Sequence, residues 1–287
     1  MAKRILLIDA DVVAYQCASA LEEAVEWECG HWTWNVNFNQ VTDRCDRVIE
    51  QYMDELDGDE AVLCLTDPVS NFRIGVLPTY KTHRKTVRKP LVLMGVKDWM
   101  VEERDAILRP GLEGDDVMGI LATRPNKKRE ERIIVSIDKD MKTIPGNYVR
   151  TRLTVDKEGT EVSGAFDIQE ITEKVADQYH MMQTLSGDAT DGYKGCPGVG
   201  VDTAEKIILN RTKLEAYEHT LLRGPNKGEV QMRTRGVECD DLWEIVMSYY
   251  ENAGLTEEDA LAEARVARIL RASDYNFKTK EPILWTP

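Results

Sequence analysis

Three short apolar runs, each closing on an acid, constrain the fold of this chain more than any other feature. LLID ends at Asp9, CLTD ends at Asp67, and IIVSID ends at Asp138 with Asp140 two residues later. Short all-apolar runs mark strands covered on both faces, as in a parallel sheet. Helical patterns lie between them, over about 12–24, 40–56 and 90–106, and this alternation predicts an α/β fold with a mostly parallel sheet. Ligands of such sheets collect at the carboxyl ends of the strands, so Asp9, Asp67 and Asp138 are expected along one edge. Glu113-Gly114-Asp115-Asp116 and Gly187-Asp188-Ala189-Thr190-Asp191 add acids at helix-start or turn positions. One Asp after a strand is more often a helix cap than a ligand. Recurrence at separate strand ends changes the balance, because repelling carboxylates need a cation to gather them. All-oxygen donors suit a hard divalent ion, and the matching chemistry is phosphate-ester hydrolysis.

With 287 residues, 42% hydrophobic and 31% charged, the chain can build one large α/β core and a smaller appended unit. Strand signals fade after about 170, and helices with Gly-rich or polar joints follow. The expected division is therefore a catalytic domain over 1–185 and a helical region over 186–287. MAKRILLIDADVV is an apolar run broken by acids, neither a signal peptide nor a membrane span. Six scattered cysteines without a C-x-x-C pair predict a reducing cytoplasm and no zinc.

A net charge of −14 argues only weakly against a polyanionic partner, because charge distribution matters more than the total. YKTHRKTVRKP, residues 80–90, carries Lys81, Arg84, Lys85, Arg88 and Lys89 without an acid. With Tyr80 and the nearby Arg73 it could neutralise phosphates and stack on a base. A solvated helix face is the commoner fate of such a run. Trp27, Trp32 and Trp34 read as hairpin or core residues, and His31, His83, His180 and His219 share no ligand spacing. Gly195, Gly198 and Gly200, with Pro197, predict a tight turn whose bare backbone N–H groups can approach phosphate oxygens. The helix beginning near Thr203 would point its positive end the same way.

In this order the motifs resemble the 5′-nuclease (flap endonuclease) superfamily. The carrying residues are Asp9; Asp67 with Phe72-Arg73; Tyr80-Lys81-Thr82-His83-Arg84; Glu113-Gly114-Asp115-Asp116; Asp138-Lys139-Asp140; and Gly187-Asp188-Ala189-Thr190-Asp191 running into the glycine turn. LEGDDVMG, KTIP, VARILRASDYNF and the closing LW-x-P look like the 5′→3′ exonucleases of T-seven-like phages. The resemblance implies a PIN-like α/β core with a helix-hairpin-helix DNA-binding element. It also implies a 5′→3′ exonuclease on duplex DNA, with flap cleavage and primer-RNA removal as related activities. Such an enzyme would serve phage DNA replication, recombination and host DNA breakdown, in the host cytoplasm.

The same resemblance implies two Mg²⁺ ions, with Mn²⁺ as a substitute. Asp9, Asp67, Glu113, Asp115 and Asp116 are assigned mainly to one ion, and Asp138, Asp140, Asp188 and Asp191 to the other, some through bound water. Lys81 and Arg84 would hold the scissile phosphate, Tyr80 would stack on the end base, and Arg73, Lys85, Gly195, Gly198 and Gly200 would meet DNA. The expected partners are double-stranded DNA with 5′ ends or flaps and RNA-DNA hybrid, with no membrane and no zinc. Two rival readings are a haloacid-dehalogenase-type phosphatase, with Asp9 as nucleophile and Asp11 as acid, and a non-catalytic structure-specific DNA-binding protein.

Overall fold

The computed structural model describes residues 2–126, 129–151, 153–155, 160–162 and 166–287; for Lys85, 153–155 and 160–162 the description stops at the backbone. The chain runs β1 (Arg4–Asp9), α1 (Ala10–Leu21), β2 (Glu23–Glu26), β3 (Trp32–Asn35), α2 (Phe38–Glu55), β4 (Glu60–Leu65), α3 (Phe72–Val76), α4 (Leu93–Glu103), β5 (Ile107–Leu108) and α5 (Gly114–Thr123). It continues β6 (Glu131–Ser136), β7 (Gly146–Arg150), β8 (Leu153–Val155), β9 (Thr160–Val162), β10 (Gln169–Ile171), α6 (Glu173–Ser186) and α7 (Val201–Leu209). Last come β11 (Thr212–Thr220), β12 (Val230–Glu238), α8 (Leu242–Asn252), α9 (Glu257–Ala267), β13 (Tyr275–Asn276) and β14 (Glu281–Pro282).

Two compact units interleave along the chain. The sheet unit is Met1–Phe72, Arg84–Ala176 and Ile269–Ile283; the helical unit is Arg73–His83, Asp177–Arg268 and Leu284–Pro287. The expected cut near 186 therefore falls inside the second unit, which also takes a short piece from the first third of the chain. Compactness follows contacts in space, and the composition change near 186 carried no information about where residues 73–83 would pack.

The sheet unit holds a six-stranded sheet in the order β10-β7-β6-β1-β4-β5, parallel except for β10. Alternation along β1 feeds two cores. Leu6 and Ile8 pack with α1, α2 and α4, whereas Ile5 and Leu7 pack with α5. Fully burying each such side chain contributes about 1.5–3 kcal/mol. Covered on both faces, β1 has no room for a polar residue between Ile5 and Ile8. That is why its first acid, Asp9, appears at the carboxyl end. The β2–β3 hairpin forms as expected, but Trp27, Trp32 and Trp34 are exposed on it rather than in the core.

In the helical unit, Leu185, Ile207, Ile208, Ile245 and Tyr250 form the core, with Trp285 on its flank. The helices expected after 170 form as α6 to α9, but two strands the sequence did not signal lie among them. β11 and β12 pair over nine residues as a long antiparallel ribbon. Its strands are charged and largely exposed, so they lack the apolar alternation by which a strand is recognised. No helix among the described residues is long and apolar enough to cross a membrane.

Candidate active site

The carboxyl ends of β1, β4 and β6 deliver Asp9, Asp67 and Asp138 to one edge of the sheet, as parallel pairing requires. Asp9 is buried. It caps α1 by accepting the Val12 N–H at 3.2 Å and takes the Ser136 hydroxyl at 2.7 Å. Burial, with the charges of Asp11 and Asp138, pushes its carboxyl up to about 7, against the lowering effect of those two hydrogen bonds. Asp138 accepts the Asp140 N–H at 2.8 Å and opens the short 3₁₀ turn Lys139–Thr143. The Cys64 thiol is also raised, first by burial and then by Asp9, Asp11 and Asp115.

A second group of acids is tied into loops. Asp67 accepts the Val69 N–H at 2.9 Å, the Ser70 hydroxyl at 2.7 Å and the Gly111 N–H at 2.7 Å. Burial works to raise its carboxyl, but these donors prevail and leave it below the usual carboxylate range. Asp116, fully buried at the first turn of α5, accepts the Glu113 N–H at 3.1 Å and the Leu270 N–H at 3.0 Å. Glu113 accepts the Asn71 amide at 3.0 Å. Asp140 lies on the 3₁₀ turn and Asp115 in the first turn of α5.

Reading the sequence for metal ligands missed Asp11 and Lys97. Asp11 accepts the Thr66 N–H at 2.8 Å and pairs with the Lys97 ammonium at 2.6 Å. This cation comes from α4, far along the chain. Its only sequence signal was a lysine in a helix already expected to cover the sheet.

In the helical unit, Asp188 accepts the N–H groups of Thr190 at 2.6 Å and Asp191 at 3.3 Å, closing its own turn. Asp191 accepts the Tyr80 hydroxyl at 3.1 Å, lies 3.5 Å from the Lys81 ammonium, and its carbonyl takes the Lys81 N–H at 2.7 Å. Lys81 itself is left-handed at φ 51°, a conformation that costs a non-glycine residue roughly 1–2 kcal/mol. Asp191 thus holds Lys81 by backbone and side chain together. Arg84, where the chain returns to the sheet unit, is exposed on the 3₁₀ turn Thr82–Thr86. The Lys85 side chain lies outside the described residues.

Three of the expected DNA contacts are corrected. Arg73 is only 1% exposed and donates to the carbonyls of Val266 at 2.9 Å and Arg268 at 2.7 Å, so it ties segments of the helical unit together. Tyr80 is 3% exposed and packs with Tyr193 and Val266, with the Lys81 ammonium 5.0 Å from its ring centre. A ring so enclosed cannot stack on a base. Gly195 stands back to back with Gly187, and a Cβ there would overlap the backbone of Ser186 and Gly187. Its freedom serves internal packing. Gly198, at φ 80°, and Gly200, which caps α7, have nothing within 4 Å of a Cβ position. Of the three expected glycines, these two leave backbone open to a large ligand.

Among the described residues no group of three or more His, Cys, Asp or Glu side chains is gathered so that it could hold a metal ion. What the edge does show is donor chemistry: acidic side chains, one of them raised first by burial and then by neighbouring acids, as suits a hard divalent cation.

Comparison with known proteins defines the class. Residues 4–176 match the family described as 5′-3′ exonuclease, N-terminal resolvase-like domain. The exonuclease of Escherichia phage T7 is 36% identical over 99% of this chain and 94% of its own length. The exodeoxyribonuclease of Enterobacteria phage T3 is 35% identical over 99% of this chain and 93% of its own. The chain belongs to the 5′-3′ exonuclease family. It is a nuclease, a hydrolase acting on DNA, and both rival readings of the sequence fall away.

Among solved structures the T5 5′-exonuclease shares the fold, with a TM-score of 0.55 and 13% identity over 92% of this chain and 89% of that one. Its crystals hold divalent zinc. That overturns the expectation that zinc has no place here, which rested on cysteine spacing. Zinc also binds Asp and Glu oxygens, so cysteine spacing alone could not exclude it. A T5 flap endonuclease solved with DNA and metal ions also matches, with a TM-score of 0.53 and 12% identity over 73% of this chain and 75% of that one.

Proposed function

We propose that this nuclease degrades duplex DNA from 5′ ends, cuts 5′ flaps and removes primer RNA from RNA-DNA hybrid, using Mg²⁺ with Mn²⁺ as a substitute. Asp9, Asp138, Asp140, Glu113 and Asp115 would hold ions at the sheet edge, and Asp188 would be a ligand within the helical unit, where Asp191 is engaged by Tyr80 and Lys81. Asp67 and Asp116, whose oxygens already take N–H donors, suit contact through bound water. When bound, divalent cations supply Lewis acidity: positive charge at the phosphate and a lowered pKa for the attacking water.

The chain's own groups do the rest. Asp9 carries a proton at neutral pH more readily than an ordinary aspartate, because burial and two neighbouring acids disfavour its charge. Lys81, fixed by Asp191, offers an ammonium to the scissile phosphate, and the exposed Arg84 offers a guanidinium. Around the open Gly198 and Gly200, α6 and α7 would act as a helix-hairpin-helix, gripping duplex phosphates without reading sequence. The work would be done in the host cytoplasm during phage DNA replication, recombination and host DNA breakdown. Its cysteines stand free in the structure.

The observation that carries this reading is Asp9, buried at the carboxyl end of β1 in a chain whose residues 4–176 match the 5′-3′ exonuclease family. Duplexes labelled at the 5′ or the 3′ end test it. The 5′ label should leave first, only with Mg²⁺ or Mn²⁺, and EDTA should stop it. Equal loss from both ends, or release that persists in EDTA, refutes it.

A further inference from the structure

The β11–β12 ribbon has no part in the chemistry above, and the fold does not need its outer length. Its base is anchored: the Leu214 N–H donates to Ser248 Oγ at 3.0 Å and Lys213 pairs with Glu244 at 2.6 Å, both on α8. Beyond Leu214 the strands continue, and at about 3.3 Å per residue the nine-residue ribbon runs roughly 30 Å. Its end is well formed. Leu221 and Glu229 extend the ladder, and Gly224 and Gly228, both at positive φ, turn the chain. A two-stranded ribbon in water is marginal by itself, so its regularity calls for a use.

Its charge runs against that of the molecule. Between Arg211 and Glu238 six cations stand against four acids, in a chain of net charge −14. The register places Glu215 opposite Arg235, Tyr217 opposite Arg233 and His219 opposite Gln231, all on one face. Arg235 is spent on Glu215 at 2.7 Å and lies 5.5 Å from the Tyr217 ring centre. Tyr217 and His219 meet edge to face at 6.3 Å. Arg233 on this face, and Arg223 and Lys227 at the tip, make no side-chain hydrogen bond or ion pair among the described residues. Three uncompensated cations strung along an arm complement a ligand with regularly spaced negative charge.

Resting on the nuclease reading, we propose that the ribbon is a nucleic-acid-binding arm, on which Arg223, Lys227 and Arg233 take successive phosphates of the DNA backbone. The opposite face carries exposed Leu222, Val230 and Met232, which would instead fit a second copy of this chain. Charge complementarity favours the polynucleotide.

The test uses the full chain and a fluorescent duplex, with anisotropy read in EDTA across a salt series. The triple variant R223A/K227A/R233A should bind about tenfold or more weakly near 0.1 M salt, and the slope of log affinity against log salt should shrink by about 2 to 3. Lys278→Ala, a cation of the sheet unit, should change neither. Unchanged affinity and slope in the triple variant overturn the arm. So does a normal slope accompanied by a change in mass by light scattering, which would make the ribbon an interface between copies. If the parent chain neither cleaves in Mg²⁺ nor binds duplex, the nuclease reading itself fails. Parent cleavage with an unaffected triple variant sinks the arm alone.

Discussion

Asp9 in the sheet unit and Asp191 in the helical unit are the same residue in opposite surroundings. Asp9 is buried among acids and pushed up to about 7, because two hydrogen bonds do not offset burial and the charges of Asp11 and Asp138. Asp191 has a hydroxyl and an ammonium aimed at it, from Tyr80 and Lys81. One carboxylate is left for a cation from outside to neutralise, and the other is used to aim a cation the chain already has. An acid-rich motif therefore says little until each charge is matched with what neutralises it.

Four measurements can break or sharpen that contrast, taken from the largest effect to the smallest. Asp138→Asn should lower turnover by roughly a thousandfold while duplex affinity persists, because it removes charge where the phosphate chemistry is expected. Single-turnover kinetics and anisotropy together decide, and near-parent turnover would take Asp138 out of the site. In the helical unit, Gly195→Ala should cost about 3 kcal/mol of stability by overpacking and by strain at φ 66°. Gly198→Ala, with open space around it, should cost about 1 kcal/mol. Its duplex affinity should fall alike on unrelated sequences. Urea melts that rank the two glycines equally would contradict the packing difference.

Lys81→Ala should slow cleavage roughly ten- to a hundredfold at saturating DNA, with little loss of affinity. A variant that binds weakly but cleaves at full rate would return Lys81 to the status of an Asp191 partner. The smallest effect concerns pH. The folded Asp9 carboxyl titrates near 7 against 3.8 for an ordinary aspartate, so between those values the folded state holds a proton that the unfolded chain has lost. Stability of the metal-free chain should then fall as pH rises from about 4 to 7. Added Mg²⁺ should raise the melting temperature more at pH 8 than at pH 6. Equal shifts at the two pH values would mean that Asp9 is not near the ions.

Much of the sheet unit was legible in sequence because local pattern and burial coincide there. A strand covered on both faces must be apolar, so LLID and IIVSID could be placed, and their first acids had to stand at the strand ends. The β2–β3 hairpin around Gly30 could be placed for a similar reason, although the exposure of its tryptophans could not. The ordered acids and basic run also carried the family, which the match over residues 4–176 bears out.

The rest depended on what lies far along the chain. Arg73 reads as a DNA contact until the carbonyls of Val266 and Arg268 close over it, and Tyr80 reads as a stacking ring until Tyr193 and Val266 enclose it. Lys97 reaches Asp11 across 86 positions of sequence. Gly195 and Gly198 are alike in sequence, yet one faces the backbone of Gly187 and the other faces open space. The β11–β12 ribbon escaped notice because a strand that buries neither face leaves no alternation to read. Sequence determined which apolar segments are the buried strands of the parallel sheet, where the acids stand and to which family the chain belongs, because those follow from local pattern and motif order. Tertiary structure alone decided which charges are satisfied and which remain open, because that depends on residues distant in sequence meeting in space.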